Sequence, residues 1–308
     1  MKILKPKFWN KKYHPFAITL LPISLVYQFL FDLKKIFTKQ KKFSVPTICV
    51  GNIYLGGTGK TPSSIKIFEI LRELNMKPVV IKKDYKNHKD EVLLLKKYCE
   101  TIVCSERSDG ITKAIEKKFN VIILDDGYQD FKIKKNISII CFNSQQKLGN
   151  GLNIPAGPLR QNLKSLTDCQ IIFLNGSKNN NFEEELKKYN SKLNFLYYKY
   201  IPENLNDFKN KKLIAFAGIG NPENFFELLK INKLNIIKEI KYPDHYDYSA
   251  KDLSYLNDLK NKHSGILITT EKDYMRINSE NQKNLHYLKI KINFEKQEFL
   301  KQILKQII

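Results

Sequence analysis

Residues 45–74 read VPTICVGNIYLGGTGKTPSSIKIFEILREL: an apolar run, a turn dense in glycine, then a stretch of helical pattern. A strand that passes into a helix through such a turn buries both apolar faces most readily in a layered α/β sheet. The turn presents backbone N–H groups to phosphate oxygens, and the helix N-terminus adds its dipole. Lys60 follows where an ammonium reaches β- and γ-phosphates, and the Thr61 hydroxyl can ligate Mg²⁺. The spacing departs from G-x-x-x-x-G-K-[ST]: the first glycine position holds Tyr54, and glycine stands at Gly56, Gly57 and Gly59. The candidate nucleotide-binding residues are therefore Tyr54, Leu55, Gly56, Gly57, Thr58, Gly59, Lys60 and Thr61. A glycine turn with an incidental Lys-Thr is the bland alternative, and the strand–turn–helix context weighs against it.

From residue 45 onward short apolar runs alternate with helical stretches. Strands are expected near 45–50, 77–81, 101–104, 121–124, 137–142 and 169–174, with helices at 63–74, 91–99 and 110–118. This alternation predicts a parallel sheet covered by helices on both faces. Residues 175–190 are polar and Asn/Lys-rich, and NGSKNNN at their start, 175–181, reads as an exposed turn. A second α/β block begins at Lys211, and the domain break is expected between 197 and 211. The expected organisation is 1–44 as a basic and apolar N-terminal helix, 45–200 as the phosphate-loop domain and 201–308 as a smaller α/β domain.

The 308 residues carry 53 Lys+Arg against 31 Asp+Glu, a formal charge of +22. Such a charge ordinarily suggests nucleic acid or an anionic membrane. Only Arg72, Arg107, Arg160 and Arg276 are arginines, so the basicity is lysine drift and does not by itself name a partner. No RNA-binding aromatic motif or helix-turn-helix signature is evident. The five cysteines have no C-x-x-C spacing and read as buried residues in a reducing compartment. Residues 16–31, FAITLLPISLVYQFLF, form an uncharged run with lysine-rich flanks. It is shorter than the ~20 apolar residues of a spanning helix and contains Pro22, which favours an interfacial helix over a spanning one. Trp9, Tyr13, Phe16, Tyr27, Phe29 and Phe31 would anchor it, and its lysines would meet anionic headgroups. A buried core helix with basic ends is the alternative.

Four further segments carry possible chemistry. NVIILDDGYQD, residues 120–130, sets Asp125 and Asp126 at the end of an apolar strand, where an acid can hold Mg²⁺. LGNGLNIPAGPLRQ, 148–161, is a rigid loop carrying Arg160; a surviving arginine in a lysine-drifted chain suits a bidentate phosphate clamp, as does Arg107. Lys89-Asp90-Glu91 opens a helix, and acids in a first helical turn need no function. YPDHYDY, 242–248, sets His245 between Asp244 and Asp247, where spacing alone favours a surface turn.

Together these segments form a series that resembles the tetraacyldisaccharide 4′-kinase family. The stretches are VGNIYLGGTGKTP, Asp90-Glu91, RSDG, ILDDGYQD, GNGLNIPAGPLR, AFAGIGNPENFF, PDHYDYSAKDL and TTEKD, in the family's order up to Asp273. The resemblance implies transfer of the ATP γ-phosphoryl group to the 4′-hydroxyl of an acylated glucosamine disaccharide 1-phosphate. It also implies Mg²⁺, the cytoplasmic face of the bacterial inner membrane, and two α/β/α units meeting at a cleft. By position, Lys60 and Thr61 would serve phosphates and metal, and Asp125, Asp126 and Glu91 would lie on the metal side with Gln129 nearby. Asp90 would accept the sugar hydroxyl proton, aided by His245, while Arg160 and Arg107 would contact phosphate or the lipid head. Nucleic acid and an obligate protein partner are not expected.

The chain departs from the family at three places. Asp130 stands where a histidine is usual, Lys89 replaces the glycine before the acid pair, and KKDYK near residue 82 replaces S-R-G-Y-G, with a shortened loop before Asp90. A rival reading, a regulatory NTPase with a deviant phosphate loop, expects a lysine before Gly56-Gly57, where this chain has Leu55.

Overall fold

The structure, a computed structural model, describes residues 6–85 and 89–308. Most of the shortened loop before Asp90, and Lys86 of the KKDYK stretch, lie outside the described residues, as do Lys2 and Lys5 of the N-terminal basic flank. The strands in chain order are β1 (Thr47–Gly51), β2 (Pro78–Lys83), β3 (Thr101–Cys104), β4 (Val121–Asp125), β5 (Ile137–Asn143) and β6 (Ile171–Asn175). They are followed by β7 (Asn194–Pro202), β8 (Leu213–Ala217), β9 (Ile236–Lys241), β10 (Ile266–Thr270), β11 (Leu285–Leu288) and β12 (Ile290–Phe294).

Among the described residues the larger sheet has the order β12-β7-β6-β5-β1-β4-β2-β3. β1 lies between β4 and β5 and pairs with both in parallel, Val50 opposite Asp125 on one side and opposite Ile139 on the other. Every residue of β1, β4 and β5 is buried, which is why these strands read as continuous apolar runs and not as alternating ones. Strand order reverses at β1, and in open α/β sheets ligands bind beyond the carboxyl ends of strands at such a reversal. Hydrogen bonds from Glu295 N to Tyr197 O and from Glu203 N to Lys289 O run β12 antiparallel to β7, making the sheet mixed. The smaller sheet, β11-β10-β8-β9, is parallel in its paired strands.

The chain divides into two compact units. The first comprises 6–84, 99–199 and 292–308, and the second 85, 89–98 and 200–291. Two segments thus depart from the expected break near 200. Helix Lys89–Tyr98 belongs with the second unit because Lys97 and Tyr98 both donate to Glu271, at 2.5 and 2.8 Å. The final strand and helix Gln297–Lys305 return to the first, with the Phe294 ring 4.6 Å from that of Phe173.

After the irregular residues 176–179, where a turn is expected, helix Asn180–Lys187 forms, because Phe182 and Leu186, four residues apart, put one apolar face into the core. Four of the five cysteines are buried and all are free; burial pushes the Cys49 thiol up to about 11 and that of Cys141 to about 12.

At the N-terminus the apolar run is divided at Leu20 between helix Pro15–Thr19 and helix Leu21–Phe37, and Pro22 sits in the first turn of the second, where its missing N–H costs nothing. That helix is held by polar contacts. Ser24 Oγ donates to Asn153 O and accepts from Ala156 N, both at 3.0 Å, Tyr27 OH donates to Arg160 O at 2.8 Å, and Gln28 Oε1 accepts from Asn153 Nδ2 and Asn162 N. Ile23, Leu25, Val26, Phe29, Leu30, Ile36 and Phe37 are exposed. Among the described residues no helix is long and apolar enough to cross a membrane.

Candidate active site

The candidate phosphate loop is built from the end of β1. A Cβ on Gly51 would lie 2.5 Å from Tyr128 Cβ, so glycine is needed for the turn after β4 to close against β1. Asn52 then ties the loop: its Nδ2 donates to Tyr54 O at 2.5 Å, Thr58 Oγ1 at 3.0 Å and Gly56 O at 3.3 Å. Gly59 caps helix Lys60–Glu73 at φ 88°, a left-handed conformation that favours glycine. Tyr54, at the position of the usual first glycine, packs its ring in the core, and Leu55 N donates to Pro158 O at 2.8 Å. Any part that Tyr54 takes in nucleotide binding falls to its backbone.

The two acids after β4 separate in environment. Asp125 is fully buried and opposite Lys82 in the β2–β4 ladder. Its Oδ2 lies 2.6 Å from Lys82 Nζ and its Oδ1 accepts from Ser64 Oγ at 2.7 Å. Each oxygen thus has a protein partner, Lys82 tying Asp125 to β2 and Ser64 tying it to the helix after the loop. Asp126, left-handed at φ 53°, turns its carboxylate to Arg160 NH1, at 3.0 and 3.2 Å, with Lys60 Nζ at 3.8 Å. Thr61, next to Lys60 in sequence, is buried in the first turn of the helix.

Arg107 and Gln129 both donate to backbone carbonyls in this region. The Arg107 guanidinium, buried, donates to the carbonyls of Asp125 and Asp126 at 3.2 and 2.7 Å and to Asp130 Oδ2 at 3.3 Å. It fixes the turn that aims Asp126 and is not open to a phosphate. Gln129 Nε2 donates to Asn52 O at 2.8 Å, bracing the loop. Asp130, in the usual histidine's place, is thus an acceptor for Arg107.

In the second unit Asp90 is buried at the start of its helix. Its Oδ1 lies 3.2 Å from His245 Nδ1 and its Oδ2 accepts from Arg276 Nε at 2.8 Å. Arg276 NH1 also donates to Gly218 O and Tyr246 O, at 2.9 and 3.3 Å. Lys272 Nζ sits 2.9 Å from Glu91 Oε1, 3.3 Å from His245 Nε2 and 3.6 Å from Asp90 Oδ2. Burial works to raise the Asp90 carboxyl, but the His245 hydrogen bond with the Lys272 and Arg276 charges outweighs it and holds the group well below the usual carboxylate range. His245 itself stands at φ 54°, with its N–H on Gly218 O at 3.0 Å, so YPDHYDY is no plain surface turn. Glu91 faces Lys272; Thr61 and Asp126 belong to the other unit.

Asn52, Ser64, Lys82, Lys272 and Arg276 were not singled out from sequence. Arg276 carried the signal that pointed to Arg160, being a survivor among so few arginines. Among the described residues no group of three or more His, Cys, Asp or Glu side chains could hold a metal.

A family model described as tetraacyldisaccharide-1-P 4′-kinase matches residues 16–308. A tetraacyldisaccharide 4′-kinase of Pelagibacter ubique is 41% identical over 307 residues, 97% of this chain and 96% of that protein. The chain belongs to this family. Another member, from Rickettsia typhi, is 38% identical over 300 residues, 92% of each chain. The family's LpxK protein from Aquifex aeolicus, crystallised in complex with ATP, superposes with a TM-score of 0.70 at 25% identity, covering 94% of this chain and 99% of that one.

Proposed function

We propose that the chain transfers the γ-phosphoryl group of ATP to the 4′-hydroxyl of a tetraacyldisaccharide 1-phosphate, as the family name describes. The observation that carries this is the convergence of Lys60 and Arg160 on Asp126 beside a glycine-capped helix N-terminus. Two cations that share one carboxylate can turn to polyphosphate oxygens, leaving that carboxylate for a divalent ion.

The residues present fit Mg²⁺. One hydroxyl, Thr61, and one carboxylate, Asp126, match a hard cation that keeps several waters and takes other ligands from phosphates. When bound, the ion neutralises charge on the phosphates. The protein's own part is positioning: loop N–H groups and Lys60 hold the β- and γ-phosphates. Asp90, ionised, accepts the proton of the 4′-hydroxyl as that oxygen bonds to Pγ; the bond from Pγ to the β-bridging oxygen breaks and ADP leaves. A loose transition state asks little basicity of the acceptor, so a depressed carboxylate is adequate.

The outward face of helix Leu21–Phe37 supports binding to a membrane surface. A surface helix of a globular protein turns its apolar side inward, whereas this one is held by Ser24, Tyr27 and Gln28 and exposes leucine, valine and phenylalanine. Lys34 in its last turn and Lys39, Lys41 and Lys42 just beyond it suit anionic headgroups at the cytoplasmic face of the inner membrane.

The discriminating experiment is ATP turnover by the purified chain. Acylated disaccharide 1-phosphate should stimulate it strongly, and polynucleotide should not. Turnover indifferent to the lipid would refute the proposal.

A further inference from the structure

The side chain of His245 touches charged groups at both ring nitrogens, and their chemistry differs. At Nδ1 stands Asp90 Oδ1, which can only accept when ionised, at 3.2 Å. At Nε2 stands Lys272 Nζ, which can only donate, at 3.3 Å. The carboxylates of Glu91 and Asp244 lie 3.7 and 3.8 Å from the same nitrogen, beyond hydrogen-bond reach. Arg276, the remaining cation of the cluster, is directed to Asp90 Oδ2 and to backbone carbonyls and not to the ring. A ring nitrogen facing an ammonium must offer its lone pair, and the proton of a neutral imidazole then resides on the other nitrogen.

We propose that Lys272 is a positioning residue that holds His245 in the Nδ1–H tautomer, with Glu91 holding Lys272 in turn. His245 then donates to Asp90 and is not itself the base; one oxygen of Asp90 is oriented by the ring and the other by Arg276. Each carboxylate oxygen keeps a further lone pair for the substrate hydroxyl. Lys272 acts through His245 and Asp90 and need not touch substrate. The consequence for catalysis rests on the reading of Asp90 as the proton acceptor, while the tautomer itself does not.

The test is nitrogen NMR on the full chain labelled at histidine, at a pH about two units above the ordinary histidine value of ~6.5. A His245→Gln variant assigns the signal. In the wild-type chain His245 should show the Nδ1–H pattern, and in Lys272→Met it should shift toward Nε2–H. Lipid-dependent kcat of Lys272→Met should fall roughly tenfold, less than the ~10²–10⁴ for loss of an acid–base group, with KM for ATP unchanged. Lys272→Arg, which keeps a donor, should restore the tautomer and part of kcat. An Nε2–H signal in the active wild-type chain overturns the inference, as does an unchanged tautomer in folded Lys272→Met. If that variant does not fold, the wild-type spectrum decides. The expected tautomer in a wild-type chain that transfers no phosphate to lipid would instead overturn the reading of function and leave the tautomer assignment standing.

Discussion

Lys60 lies close to Asp126 and its side chain is 11% exposed, so its charge can be removed without opening the core. Lys60→Ala should therefore lose transfer while its melting temperature stays near that of the wild type; substantial turnover in the folded variant would exclude the phosphate-loop assignment. Asp90 and His245 touch, so their effects should not multiply. Asp90→Ala should lower kcat strongly, His245→Ala less, and the double variant should be little worse than Asp90→Ala. Fully multiplicative losses would mean independent roles. The ion pairs around Asp90 also make a pH prediction. A carboxyl held below its unfolded value of ~3.9 stabilises the fold above that pH, and the contribution disappears as pH falls through the folded value. Wild type should thus exceed Asp90→Asn in melting temperature at neutral pH, and the gap should close below about pH 4. A gap that persists to the acid end would contradict the ion-pair account. At this scale the sequence revealed side chains set in motifs, such as Lys60, Asp90 and Arg160. It concealed those whose meaning is a partner far along the chain. Lys82 is one lysine among many until β2 lies against β4 and brings Asp125 opposite, and Lys272 means nothing until Glu91 and His245 meet it.

The N-terminal helix is joined to the loop around Asn153 and Ala156 by hydrogen bonds from its polar side. Removing it would disturb the loop that carries Arg160, so the sharper test leaves it in place and alters its outer side. Replacing Leu25, Val26, Phe29 and Leu30 with glutamine should release the protein from anionic vesicles and raise KM for long-chain lipid without lowering the melting temperature. Unchanged vesicle binding by the folded variant would contradict a membrane-facing role. Elements with a strong internal period or a continuous apolar run were legible, β1 to β6 and the helices between most of them. β7, β11 and β12 were not, because Lys199 in β7 and Lys289 and Lys291 around β12 break their apolar pattern. Their apolar partners come from neighbouring strands, and local sequence does not display such partners.

Across the whole molecule, chain order and spatial grouping diverge at residues 89–98 and 292–308. A reading along the chain assigns a segment to its neighbours in sequence, whereas Tyr98 with Glu271, and Phe294 with Phe173, assign these two by contact. The ordered series of motifs was nevertheless enough to indicate the family, since most of them sit at a strand end or helix start that the fold keeps in place. The central claim is that one chain binds ATP through the loop after β1 and phosphorylates a lipid disaccharide. The direct measurement supplies γ-labelled ATP and an acylated glucosamine disaccharide 1-phosphate to the purified chain in mixed micelles, then locates the label by phosphorus NMR of the product. The account predicts one labelled phosphate monoester per lipid at the 4′ position, dependent on Mg²⁺ and lost in Lys60→Ala. Label recovered only as inorganic phosphate, or joined to the existing 1-phosphate, would contradict it.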